Sequence, residues 1–588
     1  MNLKQTKRPS DGRVWLSIVK KYRKDGISKT RTVEKLGWLD DLEKVYEDPV
    51  AHFRAYAKEL TAAEQAESAA KTIIIHPLKK IDKRSTHRKN LGFAALSAVY
   101  HLLGIHTHLI NRQRHRRFGY SVDAVMRLLV FDRILQPSSK KAAWESRDAY
   151  FERFDFSKDD VYRALTHIAS LKSSLMAHLN TKVSSIYGRD MGFVYYDVTN
   201  YYFQSDETDK LRKRGVNKAH TPDPVVQMGL LMDKGGLPVA YDLFPGNTLD
   251  LETLPKVIDR IKGDTDDGGW GFGRIVVVAD KGINTSDNIA TLLAEGDGYV
   301  FSRSVRGGTD ELKEWVTDQT GYKTSSTEDG TFMVKSRIAE RVINVTTRKA
   351  DLQKGVRRKT KQVKVTEKQV AFWSEKYARR ARHDRAEAVT KALKMVEEPS
   401  RLKGMLEHTA AKYVIGLKVD DNGEIVELKD ALYFNDRKLS AEEELDGYYV
   451  ISSSEVELSD GEIIDIYRGL WRIEETFRVT KSDMRQRPVY VWTADHIEAH
   501  FLICFVALLI IRIIQVHTGW RYSAKAIAST LAKASGTHEG DNWWLFDHRD
   551  DAIDDIGDAL GIDFTRERMT TAQIRSLVGK PKKPDQKT

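Results

Sequence analysis

GFVYYDVTNYYF, residues 192–203, is a run of β-branched and aromatic residues with one carboxylate, Asp197, set inside it. Such a run reads as a strand. A carboxylate within an apolar strand is costly unless it is paired, hydrogen-bonded or metal-bound. Working outward, VVQMGLLMD and LPVAYDLF flank Lys234-Gly235-Gly236 as the two arms of a hairpin, and a helical pattern follows around 251–263. RIVVVAD, residues 274–280, is a continuous β-branched run of the kind buried on both faces of a sheet, and it ends in a second acid, Asp280. SDNIATLLAEG then reads as a helix and YVFSRS as a strand. Strand, hairpin, helix, buried strand, helix, strand is the order of a mixed α/β sheet, in which functional groups gather at strand ends.

On the N-terminal side the pattern is different. WLSIVKKYR and KTRTVEKLG predict a β-hairpin over 14–37 with a Lys-Asp-Gly turn, the Ala- and Glu-rich stretch from Asp48 to about Lys71 is helical, and 92–185 is all-α, with Ser121 a candidate N-cap. The predicted organisation is a hairpin-plus-helix unit over 1–80, a helical region over 81–188, a first α/β part over 189–304, an inserted basic α/β subdomain over 305–455, a return to the core over 456–535, and an extension over 536–588 with a basic, disordered tail. Within the insertion, 364–398 reads as a basic helix. FLICFVALLII, residues 501–511, is 11 residues long before Arg512, against the roughly 20 that a membrane span needs, and is expected to be a buried helix with Cys504 as a small core residue.

The chain has 588 residues, 41% hydrophobic and 30% charged, with a single Cys. Disorder, a disulfide scaffold and a cysteine zinc site are excluded, and a reducing, cytoplasmic setting is expected, with no membrane partner. Neither a GxxxxGK[ST] loop nor a GxGxxG opening a helix is present, which argues against ATP-driven chemistry. Net charge is +11, and 348–385 holds 14 Lys or Arg against 4 Asp or Glu, a net of +10. Lys79–Lys89 and Arg112–Arg117 form two smaller basic clusters. Several separate basic surfaces suit a long polyanion better than a small anion.

The third acidic element is YRGLWRIEETFRVTK, residues 467–481. On a continuous α-helix Tyr467, Glu474 and Lys481 fall on one face, and Glu475 points about 100° away from it. Two strand aspartates and a helix glutamate form an oxygen-only donor set, suited to Mg²⁺ or Mn²⁺, and two such ions can carry phosphoryl transfer on nucleic acid.

GFVYYDVTN, VVVADKG and YRGLWRIEETFRVTK together resemble the DDE transposases of bacterial insertion sequences, in particular the insertion-sequence-four type with its Tyr-Arg-Glu-Lys signature. The resemblance covers roughly 190–515, and the N-terminal hairpin followed by LGWLDDLE is similar to one subgroup. It implies an RNase H-like core interrupted by an insertion, with Asp197, Asp280 and Glu474 as catalytic carboxylates holding two metal ions, Mg²⁺ or Mn²⁺. It further implies DNA contacts from Tyr467 and Lys481, and an insertion that helps to grip the element's end. The family arginine, three residues after the Tyr, is Leu470 here, so Arg468 or Arg472 is the candidate replacement, with Arg478 on the same segment. Further candidates for DNA are Arg303, placed at a sheet edge, and Arg357, Arg358, Lys359, Arg379 and Arg380 of the insertion. Thr199, Asn247 and Asp250 are candidates for support of the site. The implied activity is cleavage at terminal inverted repeats and transfer of the 3′ ends to target DNA, by a homodimer on double-stranded DNA at the bacterial nucleoid. The alternatives are a nuclease on the same core that cuts without joining, and a non-catalytic DNA-binding descendant.

Overall fold

The computed structural model describes residues 1–9, 11–24, 27–68, 80, 87–114, 118–215, 223–262, 272–328, 330–346, 360–398, 408–419 and 425–579. The chain divides into two compact units, Met1–Ile81 and Asp82–Thr588. In the first, Val14–Lys24 and Ile27–Trp38 pair as an antiparallel hairpin whose turn residues, 25 and 26, lie outside the described residues. Asn2–Lys7 adds a third strand that the sequence reading did not foresee. Leu16 and Ile18, two apart and so on one side of the sheet, are fully buried, and Phe53 and Ala57 of the helix Pro49–Ser68 are also buried.

The second unit is built on one nine-stranded sheet. Its strands are β1 (Phe193–Tyr202), β2 (Val225–Asp233), β3 (Pro238–Pro245), β4 (Val276–Ala279), β5 (Gly298–Arg303), β6 (Lys323–Thr327), β7 (Gly330–Thr346), β8 (Thr360–Ser374) and β9 (Tyr448–Ser453). Their spatial order is β6-β7-β8-β9-β5-β4-β1-β2-β3. β1, β2 and β3 form an antiparallel meander, whereas β4 runs parallel to β1 and β5 parallel to β4. This mixed centre is consistent with an RNase H-like domain. Every residue of β2 and β4 is buried, as expected of strands covered on both faces. The β2–β3 turn needs Gly236, whose φ of +86° disfavours any side chain.

The insertion differs from its expected form. β6 to β9 continue the central sheet beyond β5, so much of 305–455 shares the main core. Residues 364–374, expected to be helical, belong to β8, and the helix is Glu375–Glu397. The alternation of Val363 and Val365 with Lys364 and Thr366 has the two-residue period of a half-buried strand, which the density of charge obscured. That helix forms its own smaller core with the hairpin Val414–Val419/Ile425–Phe434, through Ala392, Met395, Tyr413 and Leu417.

Helices cover the sheet. Among the described residues six α-helices fill Phe93–Tyr187, and Ser121 caps Val122–Leu135 by accepting from the Ala124 amide at 3.1 Å. Ala494–His517, at 24 residues, is long and apolar enough to cross a membrane, but 94% of its most apolar stretch is buried inside the protein. It packs against Lys158–Ser170, Val122–Leu135 and β3, and its all-round apolar surface is what a central helix requires. The C-terminal region is folded as far as residue 579: Arg88–Asn90, Ser535–Gly540, Trp543–Phe546 and Arg568–Thr570 form a second sheet, which ties the start of the helical region to the C-terminal extension. The basic tail, 580–588, lies outside the described residues.

Candidate active site

β1 and β4 pair in parallel with Phe193 opposite Val276, Val194 opposite Val277 and Tyr195 opposite Val278. The offset is 83 residues, and carrying it two positions onward sets Asp197 level with Asp280, which immediately follows β4. Neighbouring strands lie about 4.8 Å apart, and residues in register point to the same face. On β5 the residue sharing that face is Ser302, whose Oγ donates to Asp280 Oδ1 at 2.7 Å. Asp197 is half-buried, accepting from the Val198 amide at 2.7 Å, and Asp280 is exposed.

The segment carrying the glutamate crosses this same face. The helix Asp460–Arg468 starts in a capping box, with Ser459 and Glu462 satisfying each other's amides. It does not run on as one regular α-helix to Lys481. At Gly469–Leu470 the backbone tightens, with the Leu470 amide donating to Tyr467 and the Arg472 amide to Gly469, before the helix Trp471–Arg478. Val479–Asp483 then widens into a π turn closed by the Met484 amide on the Val479 carbonyl at 2.9 Å. Gly469 lies so close to β1 that a Cβ there would stand 2.0 Å from the Tyr195 hydroxyl. The heptad face expected for Tyr467, Glu474 and Lys481 is therefore bent by one tight and one wide turn.

The two adjacent glutamates have different surroundings. Glu475 pairs with Arg512, which is 2% exposed and also donates to Thr476 Oγ1 and Gln515 Oε1. Glu474 is exposed on the other side. Tyr467 directs its hydroxyl at Asp280 Oδ1, 3.4 Å away. Burial chiefly, with the charges of Asp280 and Glu474 adding to it against a hydrogen bond with Ser302, pushes its phenol well above the ordinary tyrosine range. It is thus a neutral O–H donor. Lys481, in the π turn, donates to Thr199 Oγ1 and lies over the Tyr201 ring at 5.4 Å. Thr199 is buried on the same face of β1 as Asp197.

The structure distributes the remaining candidates widely. Arg468 is exposed, 3.5 Å from Asp465, and its guanidinium lies 5.6 Å from the Phe332 ring. Arg472 donates to the Lys234 carbonyl at 2.6 Å, and Arg478 is exposed, 3.8 Å from Glu475. Leu470, where the resemblance implies an arginine, is 7% exposed and part of the main core. Asp250 Oδ1 lies 3.4 Å from Gln227 Nε2, Asp250 Oδ2 reaches towards Gly282 in the loop after Asp280, and Asn247 is exposed. Arg303 is not at a sheet edge, because β9 pairs with the far side of β5, and its side chain alternates away from Ser302 to sit 3.4 Å from buried Glu367 on the opposite face. Arg379 and Arg380 are exposed on Glu375–Glu397, whereas Arg357, Arg358 and Lys359 lie outside the described residues. Ser302 and the Glu475–Arg512 pair escaped the sequence reading, although an arginine inside an apolar helix was itself the signal that a buried acid must meet it.

The donor chemistry suits a hard divalent ion, with two aspartates level on neighbouring strands and a glutamate on the helix that crosses them. Among the described residues no three Asp, Glu, His or Cys side chains converge closely enough to form a ready-made metal cluster.

Comparison with known families gives two matches. The family described as Transposase DDE domain matches residues 203–510, just over half of the chain, including Asp280 and Glu474 and beginning six residues beyond Asp197. The family described as IS1634 family transposase, N-terminal domain, matches residues 2–71. Neither match names the insertion-sequence-four type or its signature. No curated protein matches the chain.

Proposed function

The chain belongs to the DDE transposase family, and from that premise we propose that it cleaves the ends of an insertion sequence at their terminal inverted repeats and joins the 3′ ends to target DNA. The observation that carries this reading is the register of β1 on β4, which sets Asp197 beside Asp280 under the segment bearing Glu474. Asp197, Asp280 and Glu474 are the residues that would hold Mg²⁺ or Mn²⁺. The chemistry supplied by a pair of such ions when bound is activation of a water or 3′-hydroxyl and stabilisation of the leaving oxygen.

The chain's own groups position the acids and the DNA. Ser302 and Tyr467 both donate to Asp280 Oδ1, which holds that carboxylate in one orientation and leaves Oδ2 as its free-facing oxygen. Lys481, tethered to Thr199 two residues from Asp197, brings a cation to the same face of β1 for the phosphate beside the scissile bond. Tyr467, Glu474 and Lys481 thus serve the roles of the insertion-sequence-four signature, and exposed Arg468 replaces the arginine lost at Leu470. Glu475 serves the fold through Arg512. The partner is double-stranded DNA, element end and target, held by a homodimer at the nucleoid.

The test is a purified-protein assay on a plasmid carrying the element's two ends. Nicking at the ends that requires Mg²⁺ or Mn²⁺, with joining of a pre-cleaved 3′ end to a second plasmid, is the expected result. Cleavage without joining reduces the protein to a nuclease, and end binding without cleavage under any divalent ion overturns the proposal.

A further inference from the structure

Beyond the glutamate segment, the loop 484–491 folds back onto the helical region, and a cavity of about 300 Å³ lies between them. Arg133, Lys140, Arg485, Arg487 and His500 line it, with Tyr490 at its rim and no acid in its wall. Arg133 is 4% exposed and Lys140 6%, and neither forms an ion pair with a carboxylate among the described residues. Arg133 donates to the carbonyls of Met484, Arg485 and Ser138 at 3.0–3.2 Å, which pins the loop, while its Nε has no partner.

Lys140 Nζ lies 2.7 Å from His500 Nδ1, and His500 Nε2 lies 3.2 Å from the Gln486 carbonyl. His500 therefore carries its proton on Nε2 and accepts from the ammonium with Nδ1, which is the neutral form that its burial and the charges of Lys140 and Arg133 also enforce. The acid whose charge reaches Lys140 is Asp132, itself buried and receiving a hydrogen bond from Ser138 Oγ at 2.9 Å. Buried Arg133 and Lys140, with Arg485 and Arg487 at the mouth, face only the charge of Asp132, which leaves this wall short of negative charge. Buried cations without a counter-ion are costly, and a phosphate oxygen supplies both the charge and the acceptors.

We propose that this cavity receives a backbone phosphate of the bound DNA. The inference rests on the function proposed above. The wall of the cavity is tied to the carboxylate strand, because the Val489 amide donates to the Tyr202 carbonyl at 3.2 Å, five residues along β1 from Asp197. Five strand residues span about 17 Å, the length of about five nucleotides at 3.4 Å per step along one strand. The contact thus falls on the same duplex as the cleaved bond, several nucleotides away, and fixes the register in which the end is presented.

The experiment uses the full chain and a 30-base-pair duplex carrying one element end, with binding followed by fluorescence anisotropy over a range of KCl. Loss of one phosphate contact in Lys140→Gln should flatten the log–log salt slope by about 0.9. Arg487→Gln, at the half-exposed mouth, should do the same and keeps the test valid if the Lys140 variant fails to fold. At fixed ionic strength inorganic phosphate should weaken wild-type binding more than chloride does, and that difference should vanish in both variants. Unchanged slopes in both variants overturn the proposal. So does phosphate that raises the wild-type melting temperature without competing with DNA, since the cavity then takes a free anion. Failure of the wild type to bind the duplex at all overturns the proposed function and this inference together, whereas a variant-specific failure touches the cavity alone.

Discussion

Glu474 and Glu475 are neighbours with opposite surroundings, one exposed and the other paired with an arginine that is 2% exposed. Glu475→Ala leaves Arg512 buried without its carboxylate, and loss of one partner of such a pair costs about 3–5 kcal/mol. The expected result is a large fall in melting temperature. Glu474→Ala, like Asp197→Ala and Asp280→Ala, should instead abolish end cleavage while leaving the melt and duplex binding close to wild type, measured side by side by calorimetry, gel shift and nicking. Leu470 supplies a complementary case. Its side chain is in the core, so Leu470→Arg buries an unpaired charge and should destabilise the protein by several kcal/mol. A variant that melts like wild type and binds the element's end more tightly would show instead that this position faces DNA. The acids were legible as residues because a carboxylate inside or at the end of a β-branched run is conspicuous. Ser302 was not, because only the pairing of β5 beside β4 brings its hydroxyl to Asp280.

The segment 460–483 shows what element-level reading omits. A heptad of Tyr, Glu and Lys assumes 3.6 residues per turn throughout, but the chain tightens at Gly469 and widens at Val479–Asp483. The tight turn follows from contact with β1: the space a Cβ would need at residue 469 is held by the Tyr195 hydroxyl, and that contact has no signature in local sequence. Gly469→Ala should therefore cost about 1–3 kcal/mol by overpacking and lower cleavage by shifting Glu474. Tyr195→Phe in the same background should restore a small part of both losses, because the oxygen at 2.0 Å is gone while the ring carbons at 2.5 and 2.9 Å remain. A double-mutant cycle on melting temperature and nicking rate checks this, and additive losses would disprove the contact. In the π turn, Lys481→Ala should reduce cleavage and joining more than it reduces duplex affinity, since one contact among many counts chiefly when it positions the scissile phosphate. The β8 misreading is the same lesson in a strand: charge density over 364–374 imitates a solvated helix, and only the two-residue alternation against β7 and β9 tells otherwise.

For the whole molecule the main difficulty is long range. The succession of the central elements and their mixed sheet are legible in sequence, but the order of the strands and the extension of the sheet through β6 to β9 depend on pairings such as Arg303 with Val450, 147 residues apart, which no local pattern encodes. Charge is similarly redistributed by the fold. Of the basic stretch 348–385, Arg385 is spent inside, paired with Asp446 at 2.5 Å, whereas Arg379, Arg380 and Arg382 are exposed on one helix. Neutralising those three should flatten the salt dependence of duplex binding by up to about 0.9 per lost phosphate contact, and an unchanged slope would make the helix a solvated face. The pH dependence of global stability tests the cationic wall from another direction. Burial, together with the charge of Arg133 and against the smaller pull of Cys504 and Asp132, pushes the Lys140 ammonium down to about 7 from its ordinary 10.5, and His500, which faces it, is held neutral. A folded-state value below the unfolded one means that the unfolded chain binds the extra proton between these limits, so this group favours the folded state most above pH 10.5 and loses that contribution as pH falls towards 7. The melting temperature of Lys140→Gln, compared with wild type across pH 7–10, should therefore change less steeply with pH, with the gap between the two proteins varying through that window. Parallel curves would show that Lys140 keeps its charge in the folded protein, and hence that its surroundings already supply the negative charge that the cavity wall lacks.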